Sequence, residues 1–279
     1  MKKEFSWNRQ IIIILKNPSY FTNLLGHEQT FIFRFFQNYF PKFIDFFKKV
    51  RKILYLGNNN ICPCCGGSYK KFLPVGTTFR SSAQCPGCNS LERHRLLFLY
   101  LKKKTNFFKN KLKVLYFAPN KIFLSIFKQL HNIELITADL RSPLAMIKTD
   151  ITNLRFNDKS FDVILCSHVL EHVENDIKAM RELFRVLKSQ GWAIIQSPID
   201  YSLSKTINGN KNLSSRERRK LFGEDDHYRI YGVDYKNRLE KAGFNVLVDD
   251  FVMKLKNKTI KMFGLDKTEK VYFCSKSIN

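Results

Sequence analysis

The stretch Phe161-Asp-Val-Ile-Leu-Cys-Ser-His-Val-Leu-Glu-His-Val173 decides the fold of this chain. Its first part, Phe161–Cys166, is a short, mostly apolar run that predicts a strand buried in a sheet. Polar side chains capable of chemistry follow in the turn toward the next helix: Ser167, His168, Glu171 and His172. We therefore place candidate site residues at the end of this strand.

Strand and helix patterns alternate over residues 111–279, which indicates a mostly parallel α/β sheet. Seven strands are predicted: Leu112–Phe117, Glu134–Thr137, Met146–Lys148, Phe161–Cys166, Trp192–Gln196, Phe244–Asp249 and Lys270–Cys274. Helices are predicted at Lys121–Leu130, Asp176–Leu187 and Asp234–Ala242.

Two aspartates, Asp139 and Asp150, each close a short apolar run upstream of that stretch. Asp139 lies 22 residues beyond Phe117, at the end of the next predicted strand. A carboxylate at such a position can accept hydrogen bonds from both hydroxyls of a ribose. A single aspartate after a strand is more often a turn or cap residue. The ordered series of the turn at 114–120, Asp139, Asp150 and the stretch 161–173 is much harder to obtain by chance.

The series resembles the class I S-adenosylmethionine-dependent methyltransferases over residues 111 to about 275. The resemblance implies a Rossmann-like, doubly wound, seven-stranded, mostly parallel sheet that binds S-adenosylmethionine. Asp139 then matches the ribose position, and Asp150 matches the acidic position near the adenine amino group. The implied cofactor contacts are Phe117, Ala118, Pro119, Asn120, Asp139, Leu140, Asp150, Ile151, Ser167 and His168.

The turn Val114-Leu-Tyr-Phe-Ala-Pro-Asn120 departs from this family, which usually has a glycine-rich loop here. Ala118 is the nearest substitute for the glycine that lets backbone approach a ligand. Pro119 suits the first position of a helix, and Asn120 is expected to bond the same region of the cofactor.

Methyl transfer requires a positioned acceptor and, for a hydroxyl, a group that takes its proton. The catalytic candidates are His172, His227 and Glu171; for His172 the alternative is a structural hydrogen bond. Residues Phe222–Gly232 resemble a substrate-side His-x-Arg element of some class I enzymes. That resemblance assigns substrate contacts to Arg229 and, with the end of the preceding strand, to Tyr201; the alternative is that Arg229 braces a lid.

Two CxxC knuckles, Cys62-Pro-Cys-Cys65 and Cys85-Pro-Gly-Cys88, precede this region. Two tight turns with two thiolates each supply the four soft ligands of tetrahedral Zn²⁺, so Cys62, Cys65, Cys85 and Cys88 are the predicted ligands. Such a closed site is structural, while iron or free redox thiols are the alternatives. The neighbouring Arg93, His94 and Arg95 are expected either to contact phosphate or a sugar acid, or to be solvated.

Composition divides the chain into a basic amphipathic helical segment (1–58), a four-cysteine zinc-ribbon subdomain with a helix (59–110), and the methyltransferase domain (111–279). Their Lys/Arg and Asp/Glu counts are 10 and 3, 9 and 1, and 29 and 20, so the net charge of +24 extends along the chain. Residues 1–58 are expected to pack as accessory helices, or to contact a membrane surface or a partner enzyme. Without a convincing signal peptide, the clustered cysteines favour the cytoplasm, with peripheral association at the inner face of the membrane as a possibility.

The first functional hypothesis is O-methylation of a glycan or small-molecule acceptor. The overall layout resembles bacterial methyltransferases associated with surface-polysaccharide assembly, which is the basis for naming a glycan. The alternatives are a zinc-ribbon RNA methyltransferase, because the positive charge suits a phosphate backbone, and a catalytically degenerate scaffold, because the cofactor turn lacks glycine. Nucleic acid is the less favoured partner, since the fourth strand ends in Cys-Ser-His and not in the Asn/Asp-Pro-Pro-aromatic motif of many base-amine enzymes.

Overall fold

The computed structural model describes residues 49–75, 80–210 and 212–277. The chain divides into two compact units, Met1–Leu99 with Val252–Thr268, and Tyr100–Phe251 with Glu269–Asn279. The predicted N-terminal segment up to residue 48 lies outside the described residues, and residues 49–54 are helical. Across the described part of the chain, every helix is too short or too polar to cross a bilayer.

The first unit contains two small antiparallel hairpins that present the cysteines. Strand β1 (Leu56–Ile61) pairs with β2 (Ser68–Tyr69), and β3 (Leu73–Val75) pairs with β4 (Arg80–Gln84). Helix α1 (Glu92–Lys104) begins in this unit and continues into the second one.

The second unit is built on a seven-stranded sheet. The elements from residue 112 onward, in chain order, are β5 (Leu112–Phe117), α2 (Lys121–Phe127), β6 (Ile133–Asp139), β7 (Ile147–Lys148), β8 (Phe161–Ser167), α3 (Asp176–Val186), β9 (Leu187–Gln196), β10 (Ile207–Asn208), α4 (Ser215–Phe222), β11 (Arg229–Ile230), α5 (Tyr235–Lys241), β12 (Asn245–Asp249), α6 (Asn257–Phe263) and β13 (Val271–Ser275), with 3₁₀ turns at Leu170–His172 and Phe251–Lys254.

The strands of the sheet are arranged in the order β12-β13-β9-β8-β5-β6-β7. The five strands from β9 to β7 in this order are parallel to one another. Strand β13 is antiparallel to both of its neighbours, β9 and β12.

The central strands form because their apolar runs are buried on both faces. In β8, Val163, Ile164, Leu165 and Cys166 are all buried. Helix α3 covers this region with one apolar stripe at helical spacing, and the Asn175 side chain caps its first turn. The fold class and the seven predicted strands are thereby confirmed, with end shifts of a few residues, the largest in β9, which begins at Leu187.

Two helices were not predicted. Helix α4 lies between β10 and β11. Ser214 and Glu217 form a reciprocal capping box at its start, and Gly223 ends the helix in the left-handed conformation. That pattern is visible in the sequence and would have been sufficient to find it. Helix α6 is short, and Gly264 ends it in the same way.

Residues 252–268 group with the cysteine-bearing unit and not with the sheet, which differs from the predicted third domain. The cause is local bonding within that unit. The Arg95 guanidinium donates to the carbonyl oxygens of Phe263 at 2.6 Å and Gly264 at 2.7 Å, and the Asn60 amide donates to Lys261 O at 3.1 Å. The boundaries at residues 58 and 110 stay predictions.

Candidate active site and metal centre

The two cysteine knuckles adopt matching turns. Gly66 N donates to Cys62 O at 2.8 Å, and Asn89 N donates to Cys85 O at 3.0 Å. Gly66 and Asn89 both have positive φ, 70° and 61°, which lets each chain turn back sharply after its second cysteine. Each knuckle therefore directs two thiols toward a common point.

The four predicted ligands come together as one cluster. The sulfur atoms of Cys62, Cys65, Cys85 and Cys88 all lie within 4.8 Å of one another. Sγ of Cys62 is 3.6 Å from that of Cys88, and Sγ of Cys65 is 3.8 Å from that of Cys85. Sulfur atoms about 2.3 Å from a tetrahedral Zn²⁺ are about 3.8 Å apart, so the cluster fits zinc.

The surroundings of the cluster separate the ligands from the fifth cysteine. The Ser90 hydroxyl lies 3.1 Å from Cys62 Sγ and 3.2 Å from Cys88 Sγ, where it can donate to a thiolate. Cys64 lies outside the four-sulfur cluster, and its thiol donates to His94 O at 3.8 Å. Its exclusion agrees with the predicted ligand set.

Arg95 does not contact solvent or an external phosphate, contrary to both sequence-based expectations. Its side chain is 0% exposed, and its guanidinium donates to Ala83 O, Ser90 O, Phe263 O and Gly264 O and stacks on Phe72. Burial lowers the pKa of this guanidinium. Arg95 therefore acts as an internal brace of the cysteine unit.

At the carboxyl end of β5, the glycine-free turn adopts a conformation typical of glycine. Ala118 has a φ of 47°, in the left-handed region that favours glycine. Asn120 is the N-cap of α2, and its side-chain oxygen accepts from Phe123 N at 2.9 Å. The predicted helix start at Lys121 is confirmed, so Pro119 precedes the helix instead of occupying its first position, and the Asn120 oxygen is committed to the cap.

Replacing Ala118 with glycine should stabilise the protein slightly and leave the turn intact. Left-handed backbone costs alanine about 1–2 kcal/mol, and glycine's greater freedom in the unfolded chain offsets part of the gain. We expect the free energy of unfolding to rise by about 0–1 kcal/mol in urea denaturation. Ala118→Val should lower it, because a β-branched residue tolerates positive φ poorly; a glycine variant about 1 kcal/mol less stable than the parent would contradict the assigned conformation.

The two aspartates lie at the same edge of the sheet or next to it. Asp139 ends β6, and its Oδ1 accepts from Arg141 N at 2.7 Å and Ser142 N at 2.6 Å. Within the described residues, its Oδ2 accepts no hydrogen bond. Asp150 follows β7, is exposed, and accepts from Thr152 N at 2.8 Å.

The remaining cofactor candidates divide by exposure. Phe117 and Ile151 have their side chains in the hydrophobic core, so only their backbones border the edge. Leu140 is exposed, while Ser167 and His168 are partly exposed at the end of β8. His168 has a φ of 57°, a second non-glycine residue in the left-handed region at this edge.

Glu171 is the buried centre of a polar cluster that follows β8. It is 2% exposed; His168 Nδ1 lies 3.3 Å from Oε1, and the Ser197 hydroxyl donates to Oε2 at 3.0 Å. Burial alone would raise the pKa of Glu171, but the contact with His168 outweighs it and the pKa is lowered. Glu171 is therefore a carboxylate that holds His168 and Ser197.

His172 and His227 meet although 55 residues separate them in the chain. Their ring centroids are 4.7 Å apart, and Asp226 Oδ1 lies 3.1 Å from His172 Nδ1. Burial, assisted by the nearby His172, lowers the pKa of His227, so His227 stays neutral at neutral pH. Glu171, His172 and His227 are close enough to hold a cation, but His168, Ser197 and Asp226 already engage both Glu171 oxygens and His172 Nδ1.

Arg229 is a brace and does not face an acceptor. It is 4% exposed, and its guanidinium donates to Leu170 O and Glu174 O at 2.7 Å each, and also to Val173 O and the Asn208 side chain. The contacts support the bracing alternative over the substrate contact assigned from the resemblance. Tyr201 remains accessible, 39% exposed, with Lys270 Nζ 4.9 Å from its ring centroid.

Comparison with known proteins finds similarity over parts of the chain. Residues 109–195 match a family model described as a methyltransferase domain. An uncharacterized protein of Methanocaldococcus jannaschii is 47% identical over 49 residues, which is 18% of this chain and 21% of that protein. The chain thus matches about a fifth of that relative's length.

Two solved structures are similar at low identity. A SAM-dependent methyltransferase from Archaeoglobus fulgidus is 15% identical, with 68% of this chain and 96% of that chain covered, at a TM-score of 0.43. The cyclase SpnF is 14% identical, with 66% and 82% covered, at a TM-score of 0.47. Neither likeness is close enough to indicate chemistry, so the family match is the finding that counts. Residues 109–195 of this chain are thus similar to a methyltransferase domain.

Proposed function

We propose that the protein is an S-adenosylmethionine-dependent methyltransferase that methylates a hydroxyl of a glycan or small-molecule acceptor. The observation that carries the proposal is the carboxyl edge of the parallel strands. The turn after β5, Asp139 at the end of β6, and the histidine cluster after β8 all belong to this edge. Ligands of open α/β sheets bind at such an edge.

The residues at this edge fit the cofactor. The free Oδ2 of Asp139 can accept ribose hydroxyls while Oδ1 holds its own turn. The left-handed backbone at Ala118 permits the close approach for which glycine is normally used, and this counts against the degenerate-scaffold alternative. When bound, S-adenosylmethionine supplies an activated methyl group.

We assign removal of the proton from the acceptor hydroxyl to His227. This imidazole is neutral at neutral pH and half-buried, so it can accept a proton from a hydroxyl. Asp226 holds His172 in place beside it, and Glu171 holds His168 and Ser197. His172 and Glu171 therefore position the site in this proposal, and His227 is the base.

Replacing His172 with asparagine should raise the pKa of His227 without restoring its ordinary value. The variant removes the second cause of the lowering, and burial, the first cause, remains. In the parent protein, the ring of His227 should gain its proton only when the pH falls below the usual range for histidine, near 6.5. NMR titration of ¹³C-labelled histidines checks both statements, with His227→Asn to assign the signal; a midpoint for His227 in the parent protein above about 6.5 would contradict them.

The acceptor class is tested in cells and with purified protein. Mass spectrometry of surface polysaccharide from cells with and without the gene should reveal one lost methyl group, and purified protein should transfer a labelled methyl group to demethylated polysaccharide. We place this reaction in the cytoplasm, where the free thiols stay reduced. Unchanged polysaccharide in both experiments would exclude the glycan.

RNA methylation is the second candidate, favoured by the net charge of +24. It predicts methyl transfer to RNA that weakens steeply as salt rises. The same labelled-methyl assay with total RNA from cells that lack the gene distinguishes the two candidates.

A further inference from the structure

The cysteine unit, defined as the described residues 49–75, 80–99 and 252–268, concentrates positive charge. These residues include thirteen Lys or Arg but only Glu92 and Asp266 as acids. The other unit, 100–251 with 269–279, has 28 basic and 19 acidic side chains. The lysine-rich residues 252–268, which group with this unit, supply five of its thirteen basic side chains.

A zinc ion at the cysteines does not cancel this charge. Four thiolates and Zn²⁺ together carry a formal charge of −2. Two guanidiniums lie against the knuckles and compensate it: Arg51 donates to Pro86 O and the Asn89 side chain, and Arg95 donates to Ser90 O.

Most of the unit's cations face solvent. Ten of them are exposed: Lys49, Lys52, Lys70, Lys71, Arg80, Lys254, Lys256, Lys258, Lys261 and Lys267. Of the two acids, Glu92 lies 3.3 Å from Arg80, and Asp266 accepts from Thr268. The surface of the unit is therefore positive almost throughout.

Large aliphatic side chains are exposed among these lysines. Ile53 is 65% exposed, Leu54 54%, Leu56 49% and Met253 60%. The aromatic residues among the described part of the unit are half-buried (Tyr55, Phe98 and Phe263) or buried (Tyr69 and Phe72), whereas stacking of bases uses exposed rings. Lysines supply nine of the ten exposed cations, whereas recognition of nucleic-acid bases favours the forked guanidinium of arginine.

We propose that the cysteine unit binds the surface of a bilayer that contains anionic phospholipid. Lysines provide attraction to the anionic headgroups, and Ile53, Leu54 and Met253 enter the boundary between headgroups and acyl chains. This contact is independent of the methyltransferase proposal, because it requires neither cofactor nor acceptor.

The test is co-sedimentation of the full-length, zinc-loaded chain with vesicles. We expect binding to phosphatidylcholine vesicles that contain about 30% phosphatidylglycerol, and none to phosphatidylcholine alone. Changing Lys256, Lys258, Lys261 and Lys267 together to glutamine should weaken binding at least about twentyfold, the loss expected when two of the four face the bilayer and each contributes about fivefold. The matched control changes four exposed lysines of the other unit, Lys109, Lys121, Lys128 and Lys241, and should stay within about threefold of the parent.

A second variant separates lipid from other polyanions. Ile53→Ser with Leu54→Ser should weaken vesicle binding about tenfold, because less apolar area is buried, while zinc content shows that the unit still folds. Vesicle binding that ignores this change, or that falls equally in the control variant, would overturn the proposal. So would tighter binding to a short single-stranded RNA than to the vesicles at the same salt concentration, which would identify a nucleic-acid surface.

Discussion

Asp139→Ala should sharply weaken binding of S-adenosylmethionine, for which we expect a micromolar dissociation constant in the parent protein. The variant loses the carboxylate oxygen assigned to the ribose hydroxyls. Each hydrogen bond to a charged group is worth about 1.5–3 kcal/mol, so loss of two weakens binding by about a hundredfold or more. Isothermal titration calorimetry measures the change directly.

The control variant must keep the turn that Asp139 Oδ1 stabilises. Asp139→Asn keeps an oxygen for Arg141 N and Ser142 N but offers the ribose an amide. It should keep the parent's melting temperature and bind with intermediate affinity. A folded Asp139→Ala protein that binds the cofactor as tightly as the parent would remove the proposed cofactor site.

Cys65→Ser should remove the metal and unfold the cysteine unit, whereas Cys64→Ser should do neither. Structural zinc contributes about 10–16 kcal/mol in small zinc-binding peptides, which exceeds the stability that a unit of this size obtains from its core. Cys64 makes the matched control, because its sulfur faces His94 O and lies outside the four-sulfur cluster.

Two measurements check this prediction. Elemental analysis should give one zinc per chain in the parent and in Cys64→Ser and none in Cys65→Ser, and it distinguishes zinc from iron. Hydrogen exchange should show that the amides of Cys62, Cys85 and Asn89, which are bonded within the knuckles, lose protection only in Cys65→Ser. Zinc loss from Cys64→Ser would mean that the ligand set is wrong.

The assignment of His227 shows how far sequence alone reaches at the active site. Both histidines are visible as candidates, but nothing in their spacing indicates that their rings meet. The contact depends on β11 and the preceding loop returning to the turn after β8, where Tyr228 N donates to Glu171 O at 2.8 Å. Asp226 was missed for the same reason, since its role exists only beside His172.

The sequence by itself determined the seven strands, because an apolar run fits the two covered faces of a parallel sheet whatever its neighbours are. It also predicted the four cysteines that cluster, because a knuckle is a local turn whose cysteines are close along the chain. Only the tertiary structure decided which charged residues are buried. The sequence left Arg95 as an anion contact or a solvated side chain, and Arg229 as a substrate contact or a brace. Each is an internal brace because carbonyl groups from distant segments surround it. The grouping of residues 252–268 with the cysteine unit was decided in the same way, since it depends on hydrogen bonds between segments more than 160 residues apart.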